Sequence, residues 1–370
     1  MRINKLLLSI CAGAMLISSC TAQEAGSQEE PALKDLLGND YLVGAAVNQW
    51  QVDGTTPYKF ETEAVIKHFN CLTAENCMKS EVINPAKGVF NFKLADQFVD
   101  FAQKNNMVII GHSPMWHSQA ARWFFFDDKG NIIGKDTLKQ RMKDHIFTVM
   151  QHYKGKIKGY DVVNEAIEDD GSYRKSLFYK ILGEEWVDWA FECAMKADPA
   201  AELYYNDFSM DKAGKRKTVV EMIKRLKSKG LRIDAVGMQA HIGMNFPQMS
   251  ELEASAVAFI EQGVKIQFTE VDISILPNPY EGADVAANFK YSAEKDPYKN
   301  GVTPEAQTAW NNRMKDFIAM VNRHKDSVLR VTFWGVSDAS SWKNNFPIGG
   351  RTDYPLPIDR NGKLKIDAFK

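Results

Sequence analysis

The chain has 370 residues, with 45% hydrophobic and 25% charged content, values of a globular protein rather than a disordered or fibrous one. A net charge of −1 without a basic stripe argues against nucleic acid as a partner. The length admits two domains, although α/β barrels of about 250 residues or more form single units.

The first twenty residues read as a targeting segment outside the fold. Arg2 and Lys5 supply a positive start, and the apolar run over 6–17 is too short to span a bilayer. It closes on Leu16-Ile17-Ser18-Ser19-Cys20, which resembles the lipobox of bacterial lipoproteins. On that reading residues 1–20 are a lipoprotein signal peptide ending at Cys20, the site of lipidation. A membrane is then a partner through an N-terminal lipid anchor, and the protein belongs to the bacterial cell envelope, at the periplasmic or outer-membrane surface. Ordinary signal cleavage near Ala22 is the alternative. Residues 21–31, rich in Gln, Glu, Ser and Gly, read as a flexible tether, leaving 32–370 as the folded body.

Within that body, strand-like runs alternate with amphipathic helical patterns. The strands are expected at 42–47, 68–72, 107–111, 159–163, 203–206, 235–238, 266–269 and 329–333. Apolar residues at spacings of three and four mark helices over 94–104, 139–152, 184–197, 215–229, 250–262 and 308–324. Such alternation implies parallel pairing with right-handed crossovers. Eight repeats predict an α/β fold, a single (β/α)8 TIM barrel. The missing glycine-rich loop after the first strand weakens a nucleotide-binding alternative. Two connections are elaborated, 113–136 and 276–304, and long loops in compact domains usually carry function.

Polar residues gather at the C-terminal ends of these runs, where barrel enzymes keep their chemistry. The second run is followed by Glu75, Asn76 and Lys79, and the third by His112, Trp116, His117 and Gln119. Asn164 and Glu165 follow the fourth, and Asn206 and Asp207 the fifth, where they could instead cap the next helix. The sixth gives Gln239 and His241, the seventh Glu270 and Asp272, and the eighth Trp334 with Trp342 beyond it. Two glutamates facing each other across such a mouth are the minimum for breaking a glycosidic bond. Trp186, Trp189 and Trp310 sit on helical patterns and read as core.

The runs Thr73-Ala74-Glu75-Asn76, Trp116-His117-Ser118-Gln119, Asp161-Val162-Val163-Asn164-Glu165, Gln239-Ala240-His241, Thr269-Glu270-Val271-Asp272 and Thr332-Phe333-Trp334-Gly335 resemble glycoside hydrolase family 10, from about Leu42 to the end of the chain. The resemblance implies a retaining endo-1,4-β-xylanase acting on xylan and xylo-oligosaccharides, with neither cofactor nor metal. It makes Glu165 the acid/base and Glu270 the nucleophile. His241 and Asp272 then support Glu270, and Asn164 holds the sugar 2-hydroxyl. Glu75, Asn76, Lys79, His112, Trp116, Gln119, Gln239, Trp334 and Trp342 become substrate-binding residues. The Glu270 charge should raise the Glu165 pKa. The chain departs from the family pattern at Ile110, at Ser113-Pro114-Met115, at Ala120-Ala121-Arg122 and at Tyr160.

Three readings compete. Another retaining barrel glycosidase, such as a β-1,4-glucanase, would share the same glutamates. A non-catalytic glycan-binding lipoprotein would have lost one of them. A zinc hydrolase built on His112 and His117 lacks an evident third ligand. Cys71, Cys77 and Cys193 are an odd set. A Cys71–Cys77 bridge would suit an oxidising compartment, but burial as small apolar residues is the expected state.

Overall fold

Short apolar runs bounded by polar residues form the strands: β1 Leu42–Val47, β2 Cys71–Ala74, β3 Val108–Trp116, β4 Gly159–Asn164, β5 Glu202–Asp207, β6 Ala235–Met238, β7 His241–Gly243, β8 Lys265–Ser274 and β9 Val328–Phe333. The computed structural model describes residues 30–279, 283–284 and 286–370. The expected signal peptide with Cys20, and nearly all of the expected tether, lie outside the described residues. Residues Ala32–Lys370 form one folded unit.

Every strand pair is parallel. β1 pairs with β2 on one side and β9 on the other, and β6 pairs directly with β8, so eight strands close into a barrel. The short β7 resumes the line of β6 after Gln239 and Ala240 and pairs only with the far end of β8, His241 opposite Asp272. Strands buried on both faces explain why these runs are nearly continuous in apolar residues. Helices Lys93–Lys104, Lys135–His152, Glu185–Ala197, Ala213–Ser228, Met249–Ile260 and Pro304–Arg323 lie between the strands, within a few residues of their expected bounds.

Glycines shape both faces of the barrel wall. A Cβ on Gly111 would lie 2.2 Å from the Tyr160 ring, and one on Gly159 2.3 Å from the Tyr204 hydroxyl. Gly111 must stay bare for Tyr160 to pack outward against the helix layer, and Gly159 for Tyr204 to fill the barrel interior. Arg330 is also buried there. It donates to Gln267 Oε1 at 2.7 Å and to Thr332 Oγ1 at 2.8 Å, and lies 3.4 Å from Asp161 Oδ1. Trp186 and Trp310 are fully buried in the core and Trp189 packs against it, as expected.

Three boundaries differ from the sequence reading. His68 ends a helix, Glu61–His68, instead of opening the second strand, which starts at Cys71. Its Nδ1 accepts the Leu33 N–H at 3.2 Å. Burial lowers its pKa to about 4, keeping that nitrogen free to accept. The third strand runs on to Trp116, because pairing with β4 resumes at Met115 and Trp116 after an irregularity beyond His112. The seventh expected strand, β8 of the structure, continues through Glu270 to Ser274, held by β7 and β9. Cys71, Cys77 and Cys193 are free thiols, so the Cys71–Cys77 bridge does not form. Burial raises Cys71 to about 11 and Cys77 to about 12.

Candidate active site

Parallel closure brings the C-terminal strand ends to one face, and one hollow of about 190 Å³ opens there. Glu75, Asn76, Lys79, His112, Trp116 and Gln119 line it from the β2 and β3 side. Asn164, Glu165, Gln239, His241 and Glu270 line it from β4 to β8, and Trp334 and Trp342 from beyond β9. Of the strand-end residues singled out in the sequence, His117, Asn206, Asp207 and Asp272 do not line it; Asp272 stands behind the wall, fully buried beneath His241.

Glu165 follows the last residue of β4 with φ 57°, in the left-handed region that non-glycine residues seldom occupy. Its Oε2 accepts from Trp116 Nε1 at 2.8 Å, and its Oε1 from Gln239 Nε2 at 3.0 Å and Asn164 Nδ2 at 3.3 Å. Burial pushes its pKa up from 4.5 to about 7. Asp207 and then Glu270 add to the rise, against the hydrogen bonds from Gln239 and Trp116. Glu270, the cause expected from the sequence, ranks behind burial and Asp207.

Glu270 lies within β8 and is supplied with donors. Its Oε1 accepts from Asn206 Nδ2 at 2.9 Å, and its Oε2 lies 3.4 Å from His241 Nε2. His241 Nδ1 is 2.9 Å from Asp272 Oδ2, which also accepts from Trp342 Nε1 at 2.7 Å. Burial opposes charge on His241, but the Asp272 carboxylate and the hydrogen bonds to Asp272 and Glu270 prevail and raise its pKa. Burial likewise opposes charge on Asp272, and His241 with Lys343 outweighs it, holding Asp272 below its ordinary value. Both ring nitrogens of His241 can therefore donate, one to each carboxylate.

The two glutamates share a relay of amides. Asn206 Nδ2 serves Glu270 and also Asn164 Oδ1 at 3.0 Å, while its own Oδ1 accepts from Thr269 Oγ1 at 2.6 Å. The alternative of Asn206 as a helix cap is thus overturned. On the β2 side, Glu75 Oε2 accepts from Asn48 Nδ2 at 2.6 Å. Lys79 Nζ donates to Asn76 Oδ1 at 3.2 Å and Gln119 Oε1 at 2.8 Å, and lies 4.6 Å above the Trp116 ring. His112 Nδ1 is 2.9 Å from Asp161, and its ring packs edge-on against Trp334 at 5.4 Å. Asn48 was missed in the sequence, although it follows β1 as Glu75 follows β2. Trp123, in the elaborated segment, turns instead to donate to the Asn84 carbonyl at 2.8 Å.

A second hollow, of about 370 Å³, adjoins the first at His241 and Ala283 and is lined by Phe208, Met210, Asn245, Phe246 and Gln248 among others. The cleft therefore extends to both sides of the paired glutamates.

Residues 32–370 match the profile of glycosyl hydrolase family 10. The chain belongs to that family. Among its relatives, it is 46% identical to an endo-1,4-β-xylanase A of Xylanibacter ruminicola over 361 residues, covering 97% of this chain and 96% of the relative. It is 38% identical to a β-1,4-xylanase of Dictyoglomus thermophilum over 345 residues, 93% of this chain and 91% of that one. A solved family 10 endoxylanase from a sugarcane-soil metagenome superposes with a TM-score of 0.85 at 40% identity, covering 91% of this chain and 97% of its own. Family 10 membership agrees with the closed eight-stranded barrel and accounts for the strand-end carboxylates.

Proposed function

We infer that the chain is an endo-1,4-β-xylanase that hydrolyses internal β-1,4-xylosidic bonds of xylan with retention of configuration, by double displacement. The observation that carries this reading is the opposed setting of two buried carboxyls in one cleft. Glu165 is held near a pKa of 7 by burial, Asp207 and Glu270, whereas Glu270 faces an amide and a histidine that both donate to it.

In the first step Glu270 attacks the anomeric carbon while Glu165 protonates the departing oxygen. Glu270 is aimed by Asn206 and by His241, which Asp272 keeps charged. Glycosylation removes the Glu270 charge, one of the causes that keeps Glu165 protonated. Glu165 then ionises and deprotonates the incoming water. Asn164 serves the sugar 2-hydroxyl, whose hydrogen bond strengthens as oxocarbenium character develops.

Glu75, Asn76, Lys79, His112, Gln119 and Gln239 supply fixed donors and acceptors for glycone hydroxyls, and Trp116, Trp334 and Trp342 supply aromatic surface. Sugar on both sides of the glutamates suits internal cleavage, and the adjoining hollow past His241 supports it. Residues 1–31 support a lipid-anchored enzyme of the bacterial envelope. Exchange of Cys20 for Ser should move activity from the membrane to the soluble fraction and abolish palmitate labelling.

The deciding experiment is proton NMR of the first product from xylo-oligosaccharides, run beside product profiles on xylan and carboxymethylcellulose. The β-anomer and a series of short xylo-oligosaccharides are expected. An initial α-anomer would reject retention, and preferential cleavage of carboxymethylcellulose would reject xylan as substrate. Glu270→Ala should abolish turnover of aryl xylosides, whereas Glu165→Ala should spare good leaving groups more than xylan.

A further inference from the structure

Three consecutive backbone N–H groups after β4 are held by β5. Glu165 N donates to the Asn206 carbonyl at 2.9 Å, Ala166 N to the Tyr205 hydroxyl at 3.1 Å, and Ile167 N to Asp207 Oδ2 at 3.4 Å. The Tyr205 hydroxyl in turn donates to Asp207 Oδ2 at 2.5 Å. Asp207 Oδ1 accepts from Phe208 N at 2.9 Å and from Lys215 Nζ at 3.0 Å. Tyr205, Asp207 and Lys215 are all completely buried. Asp207 does not line the sugar-facing hollow, and its carboxylate is committed to Lys215 and to the segment after Glu165.

We propose that Asp207, with Tyr205 and Lys215, is the positioning residue for Glu165: it fixes the left-handed backbone that presents the acid/base and keeps a buried negative charge within reach of its carboxyl. The proposal rests on the reading of Glu165 as acid/base. A positive φ at a non-glycine residue persists only where its surroundings over-determine it, and the three clamped amides with the Arg174 Nε bond to the Glu165 carbonyl at 3.1 Å supply that constraint.

Burial pushes the Asp207 carboxyl up, and Lys215 opposes it. Four donors and no acceptor surround the two oxygens, the environment of a carboxylate. Asp207 is the second cause, after burial and ahead of Glu270, of the raised Glu165 pKa. The other charged groups near the pair are Glu270 and His241 across the cleft, Lys79 from the β2 side, and Arg174 with Glu168 and Asp169 from the segment after β4.

The test is kcat and kcat/KM against pH, for xylotetraose and for aryl xylobiosides with good and poor leaving groups. Asp207→Asn should move the alkaline limb of kcat/KM to lower pH. Because that change leaves Lys215 without its main partner, the Asp207→Asn, Lys215→Met double variant is measured beside it, with the same direction expected. Tyr205→Phe should lower kcat/KM on xylotetraose about tenfold, the factor that one hydrogen bond supports, while kcat/KM on a dinitrophenyl xylobioside, whose leaving group needs no proton, stays nearly unchanged.

A purely structural role predicts something else: folded variants with an unmoved alkaline limb and equal losses for every leaving group. That result would overturn the proposal. Glu165→Ala is the control for the underlying reading. If it showed no greater loss on poor leaving groups than on good ones, the assignment of Glu165 would fail, independently of Asp207.

Discussion

Glu165 makes the protein less stable as the pH rises, and the size of that effect can be worked out. In the unfolded chain its carboxyl titrates near 4.5, whereas in the fold burial, Asp207 and Glu270 push it to about 7. The folded state therefore binds this proton more tightly. The corresponding stability is fully present below pH 4.5 and is lost progressively as the pH rises through 7. Between pH 5 and 8 the group should remove about 2–3 kcal/mol from the unfolding free energy.

Glu165→Gln abolishes that titration. The neutral amide can still accept from Gln239, but it sets its own N–H₂ against Trp116 Nε1, at a cost that does not vary with pH. The informative quantity is therefore the difference between the two pH values in each protein, because all other titrating groups are shared. Urea unfolding at pH 5 and pH 8 should show the variant gaining about 2–3 kcal/mol on wild type across that interval. Parallel pH dependence in the two proteins would refute both the raised pKa and its origin in burial.

Two further changes probe separate parts of the structure. Asp272→Asn should remove the charge that keeps His241 protonated, so that Glu270 loses a charged donor. The kcat/KM on an aryl xylobioside should fall about a hundredfold, the worth of such a hydrogen bond, and a change under threefold would reject the role of the His241–Asp272 pair. Gly111→Ala drives a methyl to 2.2 Å from the Tyr160 ring, packed between the barrel wall and the helices. It should cost about 1–3 kcal/mol in denaturant unfolding, and an unchanged midpoint would mean that Tyr160 can move aside.

Much of this molecule was legible in its sequence, for identifiable reasons. The strands are buried on both faces, so they appear as unbroken apolar runs, and six helices show their periodicity between them. Polar residues recur at the same ends of those runs because the barrel presents that end to substrate, which is how Glu165 and Glu270 could be paired across more than a hundred residues. Boundaries were less legible. β3 resumes pairing beyond an irregularity, and only its register with β4 reveals that Trp116 is still in a strand. His68 looked like a strand start because nothing local distinguishes a helix-terminal histidine that serves Leu33 from one entering a sheet.

The sequence by itself determined the fold class, the two glutamates and the family they belong to, because each is written in local pattern and motif order. Only the tertiary structure decided what sets the state of each glutamate. Asn206 left the role of a helix cap to become a donor to Glu270. Asp207 proved to be a buried carboxylate bound to Lys215 and to the backbone beyond Glu165. Burial and through-space charge depend on which strand ends are neighbours: β4 beside β5 brings Asp207 to the segment after Glu165, and β6 beside β8 brings Asn206 within reach of Glu270.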